Sequence, residues 1–454
     1  MRRVRLSAVE LATLAAGYGS AAALTELRAG QLAVRRLQLR AVAQRSGLLP
    51  DVVHARLDAA MALLERTARA APETAADILA YPLLSAWATA CLGRLVSPDV
   101  PTAVPLDIEF GYLGGLAAAG AARAGIEFEL AVPVWDGSVF LPTLGVVDLG
   151  CSGVATIRGD ATGFTVAVAD RAVTVSAPYH VDRPGWRARR TVRIAPDLTL
   201  AVEDTDPYGA CFGRDHADRL TPAEFDRLRT VLVPAWRLIE KHHADYALGI
   251  RILLQSIVPL ATPEDGGSVS AASRVAAGAV SLSIPDDPAE LALLLIHEVQ
   301  HMKLGALLDL VDLHAVDGPA RHHAPWRADP RPVGALFQGV YAHLGVADFW
   351  RVRRRYTVGG TADRAEYEFA YWCEQTRRAA ATLADCGELT EVGAGFVARL
   401  GDTLALWRDE PVAPSVAGGV ADLLLASAVD WRLRNYVPAD REAARLAEDR
   451  LAGR

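Results

Sequence analysis

The stretch LALLLIHEVQHMKLG, residues 291–305, constrains the fold more than any other part of the chain. Its start as a helix is well marked: Asp287 is a good N-cap, Pro288 takes the first helical position and Glu290 stands three residues past the cap. From there the helix can reach about Leu313. Leu291 to Ile296 are apolar enough to require burial, so other elements must wrap this helix. Yet it carries His297, Glu298 and His301, and burying such groups is costly unless each finds a partner. At about 3.6 residues per turn, the two histidines share one face, one turn apart, and both imidazoles can reach a single metal ion. Glu298 can project toward a metal-bound water, the position of the general base in zinc peptidases. The bland alternative is a pair of core histidines satisfied by hydrogen bonds.

The flanking sequence supplies partners for that helix. Thr221-Pro222-Ala223-Glu224 reads as a capping box opening a helix that runs to about Asp245. Ile250–Leu260 reads as a buried strand. After the turn Pro263–Gly267, residues Ser268 to Pro285 read as one or two further strands, with Gly278 marking a bulge or a close approach. Helix, strands and a buried HExxH helix, in that order, resemble the core order of zincin metallohydrolases, in which an edge strand borders the cleft, an analogy of architecture that says little about chemistry. Upstream, VVHARLDAAMALLERTARA (residues 52–70) has helical spacing, and Ser7 with Glu10 makes another capping box. FELAVPV, GFTVAVA and AVTVSAP, between residues 127 and 178, alternate as antiparallel strands do. The expectation is an α+β chain in three parts: a helical N-terminal region (1–100), a small antiparallel β-rich module (101–213), and a zincin-like metal-binding domain with a helical C-terminal part (214–454).

A metal site needs a third ligand. The metzincin pattern would place Gly at 304 and His at 307, where this chain has Leu304 and Leu307. His343, in the apolar segment ALFQGVYAHLGVADFW that starts near Pro332 and also holds Gln338, is the leading candidate. Glu366, Glu368 and Glu374 on the next predicted helix are the gluzincin-like alternative. His314, His322 and His323 fall in a polar loop, and His216, His242 and His243 are expected at the surface. Arg327 and Arg331, framed by prolines in WRADPRP, are held stiffly enough to bind a carboxylate in bidentate fashion; the simpler assignment is an ion pair with Asp329.

Charge and cysteine usage narrow the function classes. A net charge of -7 and a pI near 5.9 argue against a nucleic-acid partner, which demands a basic surface. The run Arg187–Arg190 reads as a solvated hairpin face. Five scattered cysteines without a Cys-x-x-Cys pair fit a reduced cytoplasmic protein and no cysteine-rich zinc site. No run of 18 uncharged apolar residues occurs, so no membrane span is expected.

HEVQHMKL together with PWRADPRPVGALFQGVYAHLGVADFW, after an N-terminal LSAVELATLAAGYGSAAALTEL, resembles the actinobacterial HExxH-motif proteins encoded beside enzymes that mature ribosomally made peptides. Members of that family are understood as iron(II)- and 2-oxoglutarate-dependent peptide β-hydroxylases. The resemblance implies Fe(II) held by His297 and His301, with His343 as third ligand; 2-oxoglutarate as co-substrate near Arg331, Arg327 and Gln338; and O2 as oxidant. Glu298 then lies behind the ligands or binds the metal weakly, since no water-activating base is needed. The partners implied are a precursor peptide, laid along the edge of residues 268–284, and a radical SAM enzyme of the same pathway. Two other classes stay open: a zinc metallopeptidase with Glu298 as general base, and a non-catalytic peptide scaffold with a structural histidine pair.

Overall fold

The computed structural model describes residues 6–97, 102–214, 217–264, 266–316, 318–319 and 321–435. The fold is mixed helix and sheet, with helices at both ends of the described chain. Six helices come first: α1 (Ala8–Ala15), α2 (Ala21–Arg45), α3 (Asp51–Ala70), α4 (Pro72–Ala80), α5 (Leu84–Val96) and α6 (Leu106–Ala124). Nine strands follow: β1 (Phe128–Pro133), β2 (Ser138–Leu141), β3 (Gly145–Asp148), β4 (Val154–Gly159), β5 (Gly163–Val168), β6 (Arg171–Ser176), β7 (Trp186–Ala188), β8 (Arg190–Ala195) and β9 (Leu198–Val202). Then come α7 (Pro222–His242), α8 (Ala244–Leu253), β10 (Ser256–Pro259), β11 (Ser270–Ala272), β12 (Ala279–Leu282) and α9 (Pro288–Leu308). Four helices close the described chain: α10 (Val333–Arg353), α11 (Gly360–Ala384), α12 (Glu391–Arg408) and α13 (Pro414–Asn435).

The chain divides into two compact units. In the unit built from Ala21–Leu310, the strands form two antiparallel sheets, β1-β4-β5-β6 and β2-β3-β7, and a mixed sheet ordered β11-β12-β10-β9-β8. The mixed sheet runs through the expected boundary at 213/214: β9 pairs in parallel with β10, so the last two strands of the β-rich stretch complete the sheet beside α9. The β-rich stretch also holds α6, which the three-part reading did not anticipate. Its sequence GYLGGLAAAG is buried on all sides, and its small residues let strands lie directly on the helix. An added Cβ at Gly115 would overlap the Phe140 carbonyl of β2. Buried Arg35 of α2 ties this unit together by donating to the carbonyls of Ala80 (2.8 Å) and Ala277.

Both expected capping boxes are present, Ser7 with Glu10 and Thr221 with Glu224, and Asp287 accepts from the Ala289 amide at the head of α9. Three readings need correction. Ile250–Leu260 is not one strand: α8 runs to Leu253 with Ile250 and Leu253 buried, and only Ser256–Pro259 is extended, because apolar periodicity over so short a run suits either element. α9 ends at Leu308, with Asp309 as its C-cap, short of Leu313. Arg187–Arg190 is not a solvated face. Arg187 makes two hydrogen bonds to Asp148 (2.7 and 2.6 Å), Arg189 pairs with buried Glu203, and Arg190 pairs with buried Asp204. Gly278 has a left-handed φ of 101° and faces Gln255 and Pro82 closely, in keeping with the close approach expected there.

In the second unit, Ser7–Ser20 joins the chain after Val311. Tyr18 donates to Asp348 (3.0 Å) and Tyr341 to the Leu14 carbonyl (2.6 Å), which fastens the segment around α1 to α10. α10 is buried over most of its length and packs on α11. Among the described residues, α9 is the one single helix long and apolar enough to cross a bilayer, and 72% of that window is buried inside the protein, as a core helix requires.

Candidate metal centre

α9 is the buried helix its sequence demands: every residue from Leu291 to Leu307 is buried except Leu293, Leu294, His297 and His301. The two histidines turn toward each other, with their Nε2 atoms 3.2 Å apart. Two imidazole nitrogens bound to one ion at about 2.0–2.1 Å, at right-angled to tetrahedral spacing, stand roughly 2.9–3.4 Å apart. The pair therefore fits as two ligands of a single ion. Among the described residues, no group of three or more His, Cys, Asp and Glu side chains is arranged to hold a metal.

Glu298 is buried, and it leans on the edge strand. Its Oε1 accepts from the Ser270 hydroxyl of β11 at 2.6 Å and lies 3.9 Å from His297 Nε2. Oε2 makes no hydrogen bond of good geometry among the described residues. Burial raises the carboxyl's proton affinity, partly opposed by the neighbouring His301, the Ser270 hydroxyl and the Ala272 amide. β11 pairs on one side only, antiparallel to β12, which leaves it the terminal strand of the mixed sheet. The sequence motif points to the three residues of α9. It gives no hint of Ser270, whose link to Glu298 spans 28 residues.

The remaining candidates lie in the second unit. His343 on α10 is buried, and its Nδ1 is 2.8 Å from the Gly339 carbonyl. A carbonyl oxygen can only accept, so Nδ1 carries a proton, and in the neutral ring the lone pair is on Nε2, the form that binds metals. The ring is stacked between Trp326 (centroids 4.2 Å apart) and Trp372 (4.8 Å). Arg327 and Arg331 both bind Asp329, at 2.9 and 3.0 Å, which is the ion pair weighed for them; the two arginines hold the Asp329 carboxyl below its usual range. Gln338 sits half-buried on α10.

The alternative carboxylates have local partners. Glu366 accepts from the Ala413 amide (2.7 Å), Glu368 from Trp372 Nε1 (2.9 Å), and Glu374 from Arg377 and Arg378. In the loop, His322 is bound to Glu388 (2.6 Å) and buried, which corrects its expected exposure; His314 contacts the Ala315 carbonyl and His323 packs on Trp431. His243 is likewise buried at the junction of α7 and α8, and His216 lies outside the described residues.

The chain matches no known family model and no curated protein.

Proposed function

We propose that this protein is an iron(II)- and 2-oxoglutarate-dependent hydroxylase that installs a β-hydroxyl on a residue of a ribosomally made peptide. The observation that carries the reading is the convergence of His297 and His301 at 3.2 Å on a buried helix, next to a carboxylate that is tied to an edge strand. The mixed sheet ending in antiparallel β11 supports a zincin-like core. In that core, His297 and His301 would hold the iron. Iron bound there would supply activation of O2 toward an unactivated C–H bond.

The chain's own residues do the positioning. The outer edge of β11, which pairs with no other strand among the described residues, can pair with an extended peptide backbone. Because Ser270 hydrogen-bonds to Glu298, the edge is referenced directly to the helix turn that carries the imidazoles. Glu298, buried and bonded to Ser270, acts here as a brace behind the ligands.

The test is conversion of 2-oxoglutarate to succinate by metal-stripped protein reloaded with iron(II) or zinc, run with and without candidate precursor peptides. Succinate formed with iron alone, lost in His297→Ala and accompanied by gain of one oxygen atom on a peptide, is the expected result. A zinc metallopeptidase is the second reading. It is favoured by the placement of Glu298, whose Oε1 lies 3.9 Å from His297 Nε2, where a carboxylate can serve a metal-bound water as general base. It requires peptide cleavage with zinc, abolished in Glu298→Gln while zinc stays bound. Cleavage of that kind, with no succinate under any loading, would replace the hydroxylase reading.

A further inference from the structure

Helix α2 buries an arginine that has no acid to answer it. Arg35 is only 2% exposed. Its Nη1 donates to the carbonyls of Leu79 (3.5 Å) and Ala80 (2.8 Å) and its Nη2 to that of Ala277, while its Nε is buried with no acceptor among the described residues. None of these partners carries a charge. Among the described residues Arg35 makes no ion pair, and the neighbouring charge that acts on it is a like one, from Arg28. Burial, with Arg28 behind it, brings the guanidinium from 12.5 down to about 10, which still leaves it cationic at neutral pH. A buried cation held by carbonyls alone has exchanged its hydration for a few dipoles, and an anion in contact with it recovers part of that loss.

The space for such an anion lies beside it. Arg28, Gln31 and Arg35, three and four residues apart on one face of α2, line a narrow cleft together with Gln255, Gly278 and, from α9, Met302 and Ala306. Arg28 spends Nη1 on the Ile252 carbonyl (3.1 Å), and its other N–H groups have no acceptor among the described residues. The side-chain amide of Gln255 likewise makes no hydrogen bond among them. Gly278 helps to keep the cleft open: its φ of 101° disfavours a side chain, and a Cβ there would come within 3.1 Å of Gln255 Nε2. Asp309, to which Gln31 donates (2.7 Å), is already taken up by Arg274 (2.9 Å). The cleft has a volume of about 20 Å³, room for a single small group.

We propose that this cleft is a binding site for one singly charged anion, a halide or the carboxylate end of a small acid, held by the guanidinium groups of Arg28 and Arg35 with the Gln255 amide as a neutral donor. The site lies within the first unit and does not depend on a metal at the histidine pair. An anion seated there ties α2 to the turn before β12 and to α9, and stabilises the unit by mass action.

The test is calorimetric titration of the full-length, metal-free chain with sodium acetate, sodium chloride and sodium phosphate in turn, with ionic strength held by a bulky sulfonate salt and Tm measured in the same solutions. Wild type is expected to bind one acetate or one chloride per chain with a saturable rise in Tm, and the tighter of the two tells a carboxylate from a halide. Arg35→Met should abolish binding. Arg28→Gln, at a partly exposed position where folding is not at stake, should weaken it about tenfold or more and serves if the Arg35 variant does not fold. Anions that act only by exclusion from the surface raise Tm in wild type and Arg28→Gln alike, so the difference between the two proteins is the readout. Wild type with no saturable uptake of acetate or chloride would overturn the proposal, as would Arg28→Gln protein that binds them as wild type does. Phosphate bound as tightly as the smaller anions would contradict the size assigned to the site.

Discussion

One buried carboxylate of the first unit and one half-buried carboxylate of the second are held in opposite ways. In the first, Asp206 is fully buried against the hydroxyls of Tyr81 and Tyr112 and the Tyr208 amide, with Glu203 sharing Tyr81 and Arg189 bound to Glu203. Burial, with the charge of Glu203 adding to it, raises the Asp206 carboxyl from 3.8 to about 6 despite those hydrogen bonds. In the second, Glu410 accepts from Arg351, Arg354 and Arg355. Burial works against its charge there too, but three guanidinium groups outweigh it and bring the carboxyl from 4.5 down to about 2. Neutral donors cannot offset the desolvation of a carboxylate; paired cations can. The histidines follow the same division: the α9 pair is set among polar partners, whereas His343 is sandwiched between aromatic rings.

Breaking the aromatic side of that contrast has the largest expected effect. His343→Ala removes a buried ring from between two indoles and should cost about 2–4 kcal/mol of stability, whereas His301→Ala, on a partly exposed ring, should cost well under half as much. Urea denaturation of metal-free proteins makes the comparison; equal losses would erase the distinction.

The charge contrast predicts pH effects of opposite sign. Asp206 has a raised folded-state value, so its contribution is fully present below 3.8 and is lost as pH rises through about 6. Replacing it with Asn should flatten the stability profile across that window by up to roughly 3 kcal/mol. Glu410 has a depressed value, so its contribution is present above 4.5 and lost as pH falls through about 2. Glu410→Gln should therefore cost stability at neutral pH and progressively less in acid. Profiles for both variants that run in the same direction would contradict the account.

The smallest expected effect sharpens the polar side. Ser270→Ala removes the hydroxyl bonded to Glu298 and should cost about 1–2 kcal/mol, with faster hydrogen exchange at the β11 amides. Unchanged exchange would show that the edge strand is held by its pairing with β12 alone.

What could be read from the sequence was mostly local. The Thr221–Glu224 box, Asp287 with Pro288 and the apolar run before His297 each fix a helix end or a buried face within a few residues, and the structure agrees with them. What escaped depends on distant partners. The arginines of 187–190 look like a solvated run until Asp148, Glu203 and Asp204 are brought against them. α6 lies in a stretch read as β-rich because its glycines and alanines give little helical periodicity while packing directly against strands. At the candidate site, the histidine pair was legible from its spacing. Ser270 and the Trp326–His343–Trp372 stack were not, since an isolated serine or tryptophan carries no sign of what it will cover.

The central claim is that His297 and His301 form the core of a metal centre, and its most direct test is anaerobic titration of the stripped full-length chain with iron(II), followed calorimetrically. The account predicts one ion bound per chain in wild type and none at the same concentrations in His297→Ala or His301→Ala, with both variants retaining the wild-type circular dichroism. Wild-type protein that takes up no iron(II), or folded variants that bind it as well as wild type does, would contradict it.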